Sequence, residues 1–145
     1  QNVGAGKEDR ARKAMRTGML LGVTIGIFVS ALSFFRGDIP SALFTGNQAF
    51  IARSAEYLKG FAPEAILTCL VFSYIGYFNG HGKTIPVMVQ GISASFLVRV
   101  PLSYLFSIQK GATLTTIGYA VPLASVYGII FFTICYLVFL RKMKK

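Results

Sequence analysis

Residues 17–35 read TGMLLGVTIGIFVSALSFF, nineteen positions without a charged side chain. As a helix rising 1.5 Å per residue this run is about 28 Å long, close to the ~30 Å hydrocarbon core of a bilayer. A strand reading fails, because the run far exceeds a strand's length and shows no period-2 alternation. Three more runs repeat the pattern. Residues 61–78 carry only Glu64, residues 85–108 carry only Arg99, and residues 117–140 carry no charge. The expected fold is an all-α integral membrane protein with four transmembrane helices at 17–35, 61–78, 85–108 and 117–140.

Composition agrees with that reading. Of 145 residues, 54% are hydrophobic and 14% charged, whereas soluble domains carry about 25% charged residues. Fifteen Lys and Arg face five Asp and Glu, for a net charge of +10. The basic residues gather at the ends of the apolar runs and do not interleave with aromatics. They therefore read as anchors on an anionic leaflet, and no nucleic-acid partner is expected. Cys69 and Cys135 lie inside apolar runs, as small packing residues do.

The charges also give a direction. Residues 1–16, the turn at Lys83 and the tail 141–145 together hold ten Lys or Arg. The opposite side holds Arg36, Arg53, Lys59 and Lys110, with Asp38 and Glu56. By the positive-inside rule, the basic segment 1–16, the turn NGHGKT at 79–84 and the tail 141–145 are expected to be cytoplasmic. The outer loop 36–60 has apolar residues at helical spacing, as in an interfacial amphipathic helix, with Gly46-Asn47 breaking it in two.

Within the runs, Gly18, Gly22 and Gly26 recur every four residues and give the first helix a smooth face for close packing. Glu64 follows Pro63 at the start of the second run. It reads either as helix-start chemistry or as a membrane carboxylate that binds a proton, a cation or a cationic compound. Arg99 lies deep in the third run, where it either snorkels to the headgroups or faces the bundle interior. Pro101 and Pro122 are expected to kink the third and fourth helices, with Ser125 and Tyr127 as polar neighbours of the second kink.

Enzyme chemistry finds no support. Gly4-Ala5-Gly6-Lys7 is followed by Glu8 where a phosphate loop requires Ser or Thr. His81 is the only histidine and has no ligand set at metal spacing, so neither a metal nor a cofactor is expected.

Four stretches stand in order: QNVGAGKEDRA from Gln1, LFTGNQAFIARSAEYLKGFAP from Leu43, NGHGKTIPV from Asn79 and VRVPLSYLF from Val98. Together they resemble the multidrug and toxic compound extrusion (MATE) family of efflux transporters, over essentially the whole chain. The family has twelve helices in two lobes. The resemblance implies that this chain is a C-terminal fragment holding helices nine to twelve, with Gln1, Gly4, Gly6 and Arg10 shaping a cytoplasmic turn. It further implies multidrug efflux by antiport against sodium ions or protons across a bacterial plasma membrane, by rocking of the lobes around a central cleft. Glu64, Thr68, Arg99 and Tyr127 are the polar candidates for that cleft. Some branches of the family have an acidic residue where Thr68 stands here. The expected partners are the bilayer, organic and often cationic small molecules, and the N-terminal portion of the same transporter; alone, the fragment is expected to transport nothing. Two other readings are a lipid-linked sugar or polysaccharide flippase of the same superfamily and a non-transporting membrane scaffold.

Overall fold

A computed structural model describes residues 1–143, so Lys144 and Lys145 of the expected tail lie outside the described residues. These residues form α-helices joined by short turns, with one π-helical segment and no strand. Helix α1 spans Glu8–Phe35, α2 Asp38–Ala42, α3 Gln48–Phe61, α4 Glu64–Gly80 and α5 Thr84–Ser93. The π-helical segment Ala94–Arg99 leads into α6, Val100–Ser107; α7, Leu114–Gly118, and α8, Ala120–Met143, follow.

The long helices have the length and composition of membrane spans. Helix α1, the continuous rod Thr84–Ser107 and the segment Leu114–Arg141 are each long and apolar enough to cross a membrane. The pair α3 and α4 is long and apolar enough to cross only when taken together, and it bends by 54° at Ala62 and Pro63, the geometry of a broken span or a re-entrant loop. Surface chemistry points the same way: Phe28, Phe35, Phe96 and Leu97 are each at least two-thirds exposed. Such a surface matches lipid and is foreign to a soluble monomer.

Local sequence accounts for the breaks. Asn47 caps α3, its Oδ1 accepting the backbone N–H groups of Ala49 and Phe50 at 3.0 and 3.3 Å. This splits the outer loop where Gly46-Asn47 is expected to break it. Pro63 precedes α4 with φ near −60°, as a proline at a helix start does. The expected kink at Pro101 takes another form. A proline has no N–H to return to the preceding turn, and the backbone just before it widens into the π-helical segment. Regular helix is interrupted at Tyr119, and Pro122 follows in the first turn of α8, where no N–H is needed.

Two contacts organise the bundle. The glycine face of α1 lies on α4: a Cβ added at Gly22 would meet Cys69 Cβ at 2.9 Å, and one at Gly26 would meet the Ala65 carbonyl. Helix α4 in turn packs on α8, where Phe78 and Phe132 stack with centroids 5.6 Å apart and are fully buried. Away from this core, α3 lies against α7 with Gly60 and Gly118 at the crossing.

Candidate functional site

The cleft candidates separate into two groups. Glu64 opens α4, where a carboxylate suits the partial positive charge of a helix N-terminus. Its Oε1 accepts a hydrogen bond from Ser125 Oγ of α8 at 2.8 Å. Its Oε2 is buried and has no hydrogen-bond partner. Thr68, one turn further along α4, lies beside the same carboxyl, and Arg99 is within electrostatic reach of it. Arg99 is exposed and makes no ion pair within 4 Å among the described residues. One carboxyl, one guanidinium and two hydroxyls therefore converge near the end of the bundle where α4 and α8 begin.

Tyr127 belongs elsewhere. Its phenol donates to Ser93 Oγ at 2.9 Å, and Ser93 donates to the Val89 carbonyl at 2.7 Å. The pair fastens α8 to α5. Beside it, Gln90 is buried with its carboxamide against Gly128, where an added Cβ would come 2.6 Å from Nε2.

The N-terminal element is a hydrogen-bonded turn. Ala5 N–H donates to Gln1 O at 3.0 Å, Gly6 N–H to Val3 O at 2.9 Å and Lys7 N–H to Asn2 O at 2.9 Å. Gly6 has φ +69°, a conformation side chains rarely take. Gly4 has no such need, and Arg10 is exposed and makes no ion pair among the described residues. Gly18, Gly22 and Gly26 all line the contact of α1 with α4.

Sequence reasoning missed a cluster at the opposite end of the bundle from Glu64. Glu8, on the turns of α1 that precede the apolar run, accepts a hydrogen bond from the Tyr77 phenol on Oε1. Its Oε2 lies 2.7 Å from Nε2 of His81, whose side chain is 8% exposed, and Arg12 Nε donates to Oε1 at 3.2 Å. Burial pushes the Glu8 carboxyl up, but the donors Tyr77, His81 and Arg12 outweigh it and hold the group below its ordinary value. His81 also packs on Phe139, with ring centroids 5.2 Å apart, so α1, α4 and α8 meet there. The available signal was a lone histidine in a glycine turn and an acid ahead of an apolar run. Nothing in their spacing joins residues 73 positions apart. No cluster of three or more metal-ligand side chains occurs among the described residues.

The sequence model of the MatE family matches residues 1–105, which include the N-terminal turn, α1 to α5 and the π-helical segment. No curated protein matches the chain, and no solved structure does.

Proposed function

The chain belongs to the MatE family of membrane transporters, and we propose that it works as part of a cation-coupled exporter of organic, often cationic, small molecules. Its partner in this reading is the N-terminal portion of the same transporter, and its place is a bacterial plasma membrane with residues 1–16 and the tail cytoplasmic. The observation that carries the reading is Glu64: a carboxyl at the head of a membrane helix, held by Ser125 on one oxygen and unpartnered on the other. Ionisable groups in a membrane interior are costly and mark ion or substrate pathways.

The chemistry follows from that carboxyl. Ionised, it attracts a proton, a sodium ion or an organic cation; neutralised, it releases a bound cation. Competition between a coupling cation and a cationic compound for one carboxylate makes antiport, because each occupant displaces the other. Arg99 sets the strength of that competition by its charge, and Ser125 and Thr68 orient the carboxyl. The ion-coupled reading extends the broader class of transporter, which the family match carries by itself.

The test uses the full-length protein in cells that lack their own exporters. Expression should lower accumulation of ethidium when either a proton or a sodium gradient is present, and Glu64→Gln should abolish the effect. Unchanged accumulation under both gradients would remove the drug-export reading. Movement of a fluorescent lipid-linked sugar in its place would favour the flippase.

A further inference from the structure

At the end of the bundle that carries the basic turn and tail, α4, α5 and α8 leave a groove of about 580 Å³ between them. Its walls are Phe78 of α4, Pro86 of α5 and Ile134, Val138 and Phe139 of α8. Phe78 is buried, and its ring centroid lies 6.3 Å from that of Phe139, so the groove has an aromatic wall on its inner side. Ile134 and Val138 are about half exposed and face outward. The charged residue in the lining is Lys83, in the turn that leads into α5.

A second cation continues the line. Ile134, Val138 and Arg141 recur at i, i+4 and i+7, so they share one face of α8. Arg141 thus extends the apolar stripe of the groove by one turn toward the basic end. Lys83 and Arg141 are both exposed, and neither makes an ion pair among the described residues.

These features select among occupants. A neutral acyl chain would fill the apolar groove and leave both cations uncompensated. A free anion would meet the cations and leave the groove empty. A molecule with an anionic head and an apolar chain matches both, and basic pockets between membrane helices on the cytoplasmic side favour such lipids. We propose that this groove binds an anionic phospholipid of the cytoplasmic leaflet, a placement that rests on the orientation given above. One acyl chain lies along Ile134 and Val138, and the phosphate sits at the end marked by Lys83 and Arg141. The lipid then ties the cytoplasmic ends of α4, α5 and α8 together.

The test titrates the full-length protein in neutral detergent micelles with phosphatidylglycerol or with phosphatidylcholine of the same chains. The first lipid bound is counted by native mass spectrometry. The wild type should hold phosphatidylglycerol about 25-fold more tightly, at about fivefold per cation. Lys83→Gln and Arg141→Gln should each lower that preference about fivefold, and the double variant should abolish it while keeping its affinity for phosphatidylcholine. Lys13→Gln, an exposed cation of the same basic side away from the groove, should leave the preference intact. Val138→Trp, which fills the groove, should weaken both lipids.

Equal affinity of the wild type for the two lipids overturns the site, and so does a preference that survives the double variant. Displacement of the lipid by an equal concentration of inorganic phosphate reduces it to an anion site and overturns the lipid. A full-length protein that retains no lipid has this groove covered by its N-terminal portion, which overturns the proposal as well. In micelles the result is independent of which leaflet the groove faces, so a failure there is a failure of the site and not of the orientation. A protein that binds the lipid and exports no ethidium keeps the site and loses the exporter reading.

Discussion

His81 Nε2 lies 2.7 Å from Glu8 Oε2, joining the first turn of α1 to the residue that ends α4. The carboxylate also takes the Tyr77 phenol and Arg12, so three side chains share one anion. Replacing Glu8 with Ala leaves a buried phenol and a nearly buried imidazole without an acceptor. We expect a loss of about 1–3 kcal/mol, read as a lower unfolding midpoint in detergent. Arg12→Ala, at a one-third exposed position, should cost far less. Equal losses in the two variants would show that the cluster is no more than a surface ion pair.

The same cluster predicts an acid dependence. The Glu8 carboxyl is held below its ordinary value when folded. Its contribution to stability is therefore complete above the unfolded value and is lost as pH falls through the folded one. The gap in unfolding midpoint between wild type and Glu8→Gln should be constant at neutral pH and close between about pH 5 and pH 3. A gap that persists at the acid end would mean the carboxylate's charge contributes nothing.

The glycine face of α1 gives a graded series. An added Cβ at Gly18 would come no nearer than 3.9 Å to Ser73 Oγ, whereas at Gly26 it would run into the Ala65 carbonyl and come 2.9 Å from Ile66 Cα. Gly18→Ala should be neutral, and Gly26→Ala should destabilise by about 1–3 kcal/mol through overpacking against backbone. Reversal of that order in thermal unfolding would mean that α1 does not rest on α4 as described.

Tyr136→Phe should raise stability or leave it unchanged, although it removes a hydrogen-bonding group. The buried hydroxyl has no partner, and deleting such a group recovers about 1 kcal/mol of desolvation. A clear drop in the unfolding midpoint would reveal a bond to that oxygen.

Much of the fold could be read from the sequence because the bilayer imposes a simple rule. Four uncharged or singly charged runs of spanning length leave little choice but helices, and Asn47 and Pro63 mark two of their ends by local chemistry alone. The site was less legible. Glu64 stands out as an acid in an apolar run, yet its partner Ser125 is 61 positions away. Glu8 and His81 looked like solvated residues of a basic segment and a turn, because only the docking of α1 on α4 makes them neighbours. The accommodation at Pro101 was equally hidden: the missing N–H is visible in the residue type, but nothing in the residue type says that the backbone answers it with a π-helical segment.

That widening also governs how the third rod can rotate. A π turn holds one residue more than an α turn, so the segment Ala94–Arg99 carries a register offset between α5 and α6. Drawing that extra residue into regular α-helix would turn one half against the other by about 100° and slide it about 1.5 Å. Arg99 sits at the end of the offset, beside Pro101. A single residue of slack thus lets a small backbone change carry the guanidinium near Glu64 around the rod's axis.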